Sequence, residues 1–130
     1  MIQPKDTMLV GKSYIFSAAH FIPFHPKCGK MHGHTYKVTV EITGCQNKDG
    51  MVIDFSILNE KVNRTISPMD HVALNDLFLF PPTCENLAKF ILEVLVMTEN
   101  LNKDVEDIYS IGVTVQEGEG GYASAEMYFM

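Results

Sequence analysis

Two segments in the first third of the chain alternate between apolar and polar residues. The alternation covers residues 12–20 and 34–44, and a period of two is typical of a strand with one buried face. Residues 21–31 between them are rich in proline and glycine and predict a loop. The predicted inward-facing side chains are Tyr14, Phe16, Ala18 and His20 in the first strand and Tyr36, Val38, Val40 and Ile42 in the second.

The middle of the chain changes to helical spacing. Asp54 is a predicted N-cap, and the helix that follows it is predicted to end at Pro68, because proline interrupts a helix. A second helix is predicted to begin at Thr83, with Glu85 favourably placed in its first turn. The apolar positions that recur at helical spacing are Phe55, Leu58, Val62 and Ile66, and then Leu87, Phe90, Ile91, Val94 and Leu95.

Two further strands are predicted over residues 108–117 and 122–129, joined by a glycine-rich turn. The element order is therefore ββααββ. Consecutive strand pairs favour antiparallel hairpins, so the pattern predicts an α+β fold in which two helices cover one face of a four-stranded antiparallel sheet. A chain of 130 residues is long enough for one domain, predicted over residues 1–130, and a half-covered sheet favours oligomerisation.

Charge and composition narrow the functional classes. The formal net charge of −6 gives no support for binding to nucleic acid or to an anionic membrane surface. The longest apolar run, residues 90–97, is too short to span a bilayer and contains Glu93. Residues 1–6 have no apolar core of the kind that signal peptides carry. Because three cysteines are an odd number and lack disulfide or CxxC spacing, a reducing cytoplasm is predicted.

Three histidines form the main candidate for a metal site. His32 and His34 are two residues apart at the start of a predicted strand, so their side chains point to the same side. His20 ends the inward face of the preceding strand, and a hairpin of the two strands would bring the three rings together. Neutral imidazoles suit Zn²⁺, and three protein ligands leave a fourth position open for water or substrate. His25 in the intervening loop is an alternative third ligand.

Cys28 lies four residues before the first of the paired histidines, between Lys27 and Lys30. A loop thiol near a metal ion and two lysines is a candidate base or nucleophile. The alternative is a fourth metal ligand, which would close the site and make it structural. Cys84 is near the start of a predicted helix, where the helix dipole can acidify a thiol, but its apolar neighbours favour a structural role, which is also predicted for Cys45.

Two acidic positions are candidates for proton transfer and for ring recognition. Asp70 and His71 follow the predicted helix end, and an adjacent carboxylate and imidazole can form an acid/base relay or can simply occupy the surface.

Glu117 ends an apolar strand face, where a carboxylate is costly unless it is paired. A flat edge rich in N–H groups, such as that of a pterin or guanine, would pair with it through two hydrogen bonds. Solvent exposure at the strand end is the alternative.

Six segments of the chain, in order, resemble the motifs of one enzyme family. They cover residues 16–20, 28–36, 50–55, 69–75, 82–88 and 113–117, and they read FSAAH, CGKMHGHTY, GMVIDF, MDHVALN, PTCENLA and VTVQE. On these motifs the chain is similar to the 6-pyruvoyl/6-carboxy-tetrahydropterin synthase family, with the likeness extending over about residues 11 to 125.

The resemblance implies the tunnelling fold (T-fold), in which trimeric barrels usually stack into a hexamer with active sites between subunits. It implies that Cys28 is the general base, and that Asp70 and His71 form a relay contributed by a neighbouring subunit. It also implies that Glu117 holds the pterin ring. The remaining implied site residues are the zinc ligands His20, His32 and His34 and the pocket residues Thr83 and Glu85.

The substrate implied by the resemblance is 7,8-dihydroneopterin triphosphate. One family product is 6-pyruvoyl-tetrahydropterin. The other is 6-carboxy-tetrahydropterin, formed with release of acetaldehyde and triphosphate on the route to queuosine-type deazapurines. The short spacing between Cys28 and His32 resembles that of the carboxy branch. A zinc-containing protein that binds pterins or purines without catalysis is the alternative from another class.

Two positions depart from the family pattern. Phe21 follows the first candidate zinc ligand, where many relatives carry a basic residue, and Gly118 follows Glu117, where threonine is common. The first departure leaves the contacts to the triphosphate unassigned. The candidates for that role are Lys27, Lys30, Lys37 and Arg64.

Overall fold

The computed structural model of the protein describes residues 6–130. The prediction on signal peptides concerns residues 1–6, of which residues 1–5 lie outside the described residues. The strands are β1 (Thr7–His20), β2 (His32–Cys45), β3 (Ser110–Glu117) and β4 (Tyr122–Tyr128). The helices are α1 (Phe55–Ile66), α2 (Leu74–Leu77) and α3 (Cys84–Met97), with 3₁₀ turns at Ser67–Met69 and Leu101–Asp104.

The four strands form one antiparallel sheet in the order β1-β2-β3-β4, as predicted. β1 begins earlier than predicted because it pairs with β2 along its whole length, from Thr7 opposite Cys45 to His20 opposite His32. Backbone hydrogen bonds to a neighbouring strand can extend a strand where the side-chain alternation is weak. This long hairpin determines where the two histidine-bearing strand ends meet.

Side-chain caps start both long helices at the predicted positions. The Asp54 carboxylate accepts a hydrogen bond of 2.8 Å from the Ser56 N–H, and the Thr83 hydroxyl accepts one of 3.1 Å from the Asn86 N–H. Each bond satisfies a backbone donor that the start of a helix leaves without an intrahelical partner. The sequence pattern did not predict the short helix α2, whose buried residue is Leu74.

One hydrophobic core lies between the sheet and the helices. Leu58 of α1 and Leu87 and Ile91 of α3 are fully buried in it. Burying a side chain of this size contributes about 1.5–3 kcal/mol to stability. The inward strand faces supply the other half of the core, as their alternation predicted. Their fully buried members are Tyr36, Val38, Val40, Ile42, Ile111, Val113 and Val115.

The other face of the sheet carries mostly polar side chains within the described residues, together with the exposed side chains of Leu9, Ile15, Tyr122 and Tyr128. Hydroxyl groups pair across strands on it, with 2.8 Å between Ser13 and Thr39 and 2.6 Å between Thr114 and Ser124. Both long helices pack on the apolar face. This arrangement confirms the predicted α+β class, with helices on one side of a four-stranded antiparallel sheet. No helix formed by residues 6–130 is long and apolar enough to cross a membrane.

Candidate metal centre and active site

The three candidate metal ligands meet at one end of the sheet. His20, the last residue of β1, pairs directly with His32, the first residue of β2, and His34 lies two residues further on the same face. The ring centroid of His20 lies 4.6 Å from that of His32 and 5.0 Å from that of His34, and the last two are 4.8 Å apart. The β1–β2 hairpin therefore brings together the rings that the sequence pattern singled out.

The imidazole cluster of His20, His32 and His34 fits a divalent metal ion. One ligand nitrogen from each ring lies within 4.8 Å of the others. The Nε2 atoms of His20 and His32 are 3.1 Å apart, close to the roughly 3.3 Å expected between two nitrogens bound tetrahedrally to Zn²⁺ at about 2.0–2.1 Å. Nε2 of His34 is buried and has no hydrogen-bond partner among the described residues, a rare condition that a metal bond would relieve.

Hydrogen bonds on the far side of two rings direct their Nε2 atoms into the imidazole cluster. Nδ1 of His20 lies 2.8 Å from the Pro82 carbonyl oxygen, and Nδ1 of His32 lies 2.7 Å from the Lys30 carbonyl oxygen. Because a carbonyl oxygen only accepts, each Nδ1 carries the proton and each Nε2 presents a lone pair. Burial lowers the pKa of His20, which favours the neutral form that metal binding requires.

The carboxylate of Glu117 borders the imidazole cluster. Its Oε1 lies 3.6 Å from Nε2 of His34, and its Oε2 lies 3.7 Å from Nε2 of His20. The strand β3 places it there because Glu117 pairs with Tyr36, which follows His34 on the inward face of β2. A negative charge beside the rings favours a cation among them. The sequence pattern put Glu117 at a strand end, but this proximity depends on the β2–β3 register and was not predicted.

A cleft of about 550 Å³ adjoins the imidazole cluster through Glu117 and brings together four predicted residues, Cys28, Thr83, Glu85 and Glu117. They come from the 21–31 loop, the start of α3 and the end of β3. Within residues 6–130, the potential metal ligands that lie close to one another here are the three imidazoles, and the Cys28 thiol is not among them. This geometry favours an open metal site over one that the thiol closes as a fourth ligand.

Cys84 lines the same cleft next to Glu117. Burial, together with the nearby carboxylate, raises the pKa of Cys84 to about 12, so its thiol stays protonated at neutral pH. The helix N-terminus can lower the pKa of a thiol, but at Cys84 burial and the carboxylate have the larger effect. The structure thus agrees with the packing role that its apolar neighbours suggested.

Asp70 and His71 form a hydrogen-bonded pair beside the outer edge of β1. Oδ1 of Asp70 lies 2.9 Å from Nδ1 of His71 and also accepts a 2.9 Å hydrogen bond from the Ser17 N–H. The backbone bond from Ser17, reinforced by His71, holds the pKa of Asp70 below its usual range and keeps the carboxylate ionised. The His71 side chain is 82% exposed. The pair therefore has the geometry of a relay and faces solvent in this chain.

Residues 70–75 run along the outer edge of β1 as a strap. The Val72 carbonyl oxygen accepts a 3.0 Å hydrogen bond from the Ala19 N–H. The Asn75 amide accepts from the Phe21 N–H at 2.9 Å and donates to the Phe21 carbonyl oxygen at 3.0 Å. The strap thus holds the end of β1, where the first candidate metal ligand lies. This role of Asn75 was not predicted, although the residue ends the MDHVALN motif.

His71 lines a second cleft, of about 530 Å³, and His34 of the imidazole cluster lines the same cleft. The two clefts are lined by different residues of the chain. His71 and Cys28, both predicted to be catalytic, therefore line different clefts of the chain. The outward-facing strand residues that line the second cleft are Ser17, Ala19, Gly33 and Thr35.

The structure narrows the candidates for a triphosphate contact. The Arg64 guanidinium is engaged in ion pairs, 3.0 Å from Glu60 and 2.7 Å from Glu99. These pairs lie on the helical side of the molecule and occupy the donors that a phosphate would need. The exposed candidates that remain are Lys27 and Lys30 in the 21–31 loop and Lys37 on β2.

Replacing His32 with alanine is expected to abolish stoichiometric metal binding. Removing a side chain that only hydrogen-bonds to a metal ligand already lowers metal affinity by about 10- to 100-fold. Removing a ligand itself should lower the affinity at least as much. Metal per chain is measured by mass spectrometry after dialysis. His71→Ala is the matched control, because that imidazole lies outside the cluster, and it should keep the wild-type content. Equal metal content in the two variants would contradict the ligand assignment.

The family model described as 6-pyruvoyl tetrahydropterin synthase matches residues 10–127 of the chain. An Archaeoglobus fulgidus protein, provisionally named 6-carboxy-5,6,7,8-tetrahydropterin synthase, is 46% identical over 91 residues, which are 70% of this chain and 78% of that protein. The Haemophilus influenzae 6-carboxy-5,6,7,8-tetrahydropterin synthase is 45% identical over 73 residues, or 52% of each chain. The Synechocystis protein of the same name is 36% identical over 95 residues, 67% of this chain and 74% of that protein.

Solved structures share the fold at low sequence identity. The 6-pyruvoyltetrahydropterin synthase of Plasmodium vivax superposes with a TM-score of 0.79 at 24% identity, covering 96% of this chain and 100% of that one. The Caenorhabditis elegans 6-pyruvoyl tetrahydropterin synthase gives 0.75 at 22% identity, covering 97% and 99%. These likenesses confirm the predicted T-fold architecture of the subunit. With a family model matched over residues 10–127, the chain belongs to the 6-pyruvoyl tetrahydropterin synthase family of enzymes.

Proposed function

We propose that this protein, acting as one pterin synthase domain over residues 1–130, is a cytoplasmic zinc enzyme that makes 6-carboxy-5,6,7,8-tetrahydropterin. Its substrates are 7,8-dihydroneopterin triphosphate and one water molecule, and acetaldehyde and triphosphate leave, on the route to queuosine-type deazapurines. The observation that carries the proposal is the cleft in which Cys28 and Glu117 meet beside an imidazole cluster suited to a metal. Two relatives at 36–45% identity bear the name of this activity, which supports the carboxy product.

His20, His32 and His34 would hold the zinc ion. The hydrogen bonds of Nδ1 to Pro82 and Lys30 leave Nε2 available in two of these rings, and Nε2 of the third is buried without another partner among residues 6–130. A zinc ion held there would supply Lewis acidity that polarises the side-chain hydroxyls of the substrate. His20 is only 1% exposed, so the cluster is closed to bulk water on that side.

Residues of the cleft orient the substrate and move a proton. The Glu117 carboxylate has acceptor oxygens only, and the 2-amino group and ring N–H of a pterin present two parallel donors to it. Thr83 and Glu85 line the ring pocket at the start of α3. Cys28 is the general base, and its Sγ accepts a proton from the substrate side chain.

Asp70 and His71 serve the active site of a neighbouring subunit in this proposal. The exposed His71 ring faces a cleft other than the one that Cys28 lines, so it is available to complete a site on another copy. The ionised Asp70 carboxylate keeps a proton on Nδ1 of His71 and leaves Nε2 to exchange a proton with the substrate. β1 and β4 are the outer strands of the sheet, and the strap covers the edge of β1 only from Ser17 onwards. The rest of that edge and the edge of β4 would join sheets into a trimeric barrel, with two trimers forming a hexamer.

Incubation of the zinc-loaded protein with 7,8-dihydroneopterin triphosphate tests the proposal. We expect one acetaldehyde and one triphosphate for each substrate consumed, quantified by chromatography and mass spectrometry. Release of triphosphate without acetaldehyde would instead indicate the pyruvoyl product. Tight pterin binding with no release of triphosphate would indicate a binding protein without catalysis. Cys28→Ala is the control for background breakdown of the substrate.

Replacing Glu117 with glutamine is expected to raise KM for the pterin substrate by about 10- to 100-fold, since a hydrogen bond to a charged group contributes about 1.5–3 kcal/mol. Glutamine keeps the side-chain size but presents a donor where the pterin also presents one. Steady-state kinetics give KM, and metal analysis of the same preparation checks that zinc is retained. A KM within twofold of the wild-type value, at full zinc content, would contradict the role of Glu117 as ring anchor.

A further inference from the structure

The loop that carries Cys28 closes on itself through backbone hydrogen bonds. The Ile22 N–H donates to the Cys28 carbonyl oxygen at 2.6 Å, and the His25 N–H donates to the Ile22 carbonyl oxygen at 3.2 Å. The chain also passes very close to itself at Gly29, where a Cβ would lie 2.6 Å from the His25 carbonyl oxygen. These contacts make residues 22–29 a compact turn around His25.

The His25 imidazole is the hydrogen-bond acceptor inside this turn. Its Nδ1 accepts from the Lys27 N–H at 3.1 Å and from the Cys28 N–H at 2.9 Å. Pro26 has no N–H of its own, so the next two backbone donors are the ones that reach the ring. Because backbone amides only donate, Nδ1 is unprotonated and the proton of the neutral ring is on Nε2. His20 and His32 have the opposite tautomer, with the proton on Nδ1.

We propose that His25 is a positioning residue that fixes the backbone of Cys28 and thereby aims its thiol into the cleft shared with Glu117. This inference rests on the proposed function, in which Cys28 is the general base. It also accounts for the histidine that the sequence pattern left as an alternative metal ligand. Nδ1 of His25 is engaged within the loop, and the ring lies outside the imidazole cluster found within residues 6–130.

The expected kinetic consequence is a loss in kcat with little change in KM. Proton transfer needs its two heavy atoms at hydrogen-bond distance, and a misplacement of about 1 Å can cost about 100-fold in rate. His25 also lines this cleft, but the proposed contacts to the pterin ring, Glu117 and Thr83, come from β3 and from the start of α3, which His25 does not hold. Binding of the pterin ring should therefore survive when the turn is loosened.

Three substitutions of His25 test whether its imidazole acts by holding the Cys28 backbone or in some other way. In His25→Asn, Oδ1 lies near the place of Nδ1 and can accept from the N–H two residues on, as asparagine does in Asx turns. His25→Gln carries its acceptor one methylene further out, and His25→Ala has none. Because the side chain is exposed, all three variants should fold normally. Measurements are kcat and KM of the zinc-loaded protein, and amide hydrogen exchange of Lys27 and Cys28 by NMR.

We expect His25→Ala and His25→Gln to lower kcat by about 100-fold with KM within about threefold of wild type. Exchange of the two amides should accelerate by about fivefold, the change expected from one lost hydrogen bond. His25→Asn should restore slow exchange and most of kcat. The proposal is overturned if His25→Asn is as impaired as His25→Ala, or if His25→Ala keeps wild-type kcat or wild-type exchange.

Failure of the proposed function would look different. In that case the wild-type protein itself shows no turnover. The amide exchange rates of Lys27 and Cys28 can still be compared among the wild type and the three His25 variants. Faster exchange in His25→Ala together with rescue by His25→Asn would then still support His25 as the residue that holds the Cys28 backbone. Equal exchange in all four proteins would overturn it.

Discussion

Replacement of Cys28 with alanine should lower kcat by about three orders of magnitude, within the range that a positioned general base contributes. Cys28 lines the cleft together with Glu117, so the thiol is close to the residue proposed to hold the pterin ring. The proposed metal ligands and the proposed ring anchor are other residues, and therefore metal content and pterin affinity should stay near wild-type values. Single-turnover kinetics, metal analysis and pterin titration of one preparation measure all three quantities.

Two further cysteine variants make this experiment specific. Cys28→Ser keeps a small polar side chain but replaces the thiol with a far less acidic hydroxyl, so it should be almost as inactive as Cys28→Ala. Cys45→Ala is the matched control, because Cys45 ends β2 and lines neither of the two clefts. It should keep wild-type kcat. If Cys28→Ala retained kcat within a few-fold of wild type, the proposed base would be wrong.

Replacement of His71 with alanine should lower kcat by about 100- to 1,000-fold, because the proposed acid/base group is lost from the reaction. Metal content should be unchanged, since the ring lies outside the imidazole cluster. Asp70→Asn should cause a loss of similar size. An amide in place of the Asp70 carboxylate can no longer stabilise a charged His71 ring across the present 2.9 Å contact.

The decisive form of this experiment mixes two inactive proteins. Cys28→Ala and His71→Ala chains, refolded together, should recover activity up to about one quarter of wild type, because random association pairs an intact Cys28 with an intact His71 at one site in four. The recovery is expected because these residues face clefts with different linings in one subunit. Each variant refolded alone is the control. A mixture that stays as inactive as its parts would show that both residues act within one chain.

Local sequence patterns were sufficient to predict most of the secondary structure. The alternation along residues 12–20 and 34–44 predicted β1 and β2, because the side chains of a strand alternate whatever the strand pairs with. Asp54 and Thr83 predicted both helix starts, because an N-cap bonds to an amide two or three residues away. Strand alternation also placed the two histidines of the His-Gly-His motif on one side of β2.

Features without a local pattern were found only in the structure. Nothing in the alternation marks the first residues of β1, which are strand because they pair with β2 up to Cys45. The Asn75 amide holds Phe21 across a separation of 54 residues. Motif resemblance pointed to Asp70 and His71, but their neighbouring residues do not indicate that His71 and Cys28 face separate clefts.

Candidate residues for metal binding, proton transfer and ring recognition can be read from the sequence, because each role depends on the chemistry of single side chains and on short spacings. Their meeting point depends on strand register, which sets His20 opposite His32 and Glu117 opposite Tyr36. A shift by one residue would turn each of these side chains to the other face of the sheet. That register is selected by burial of the whole apolar face against the helices, and no local period encodes it.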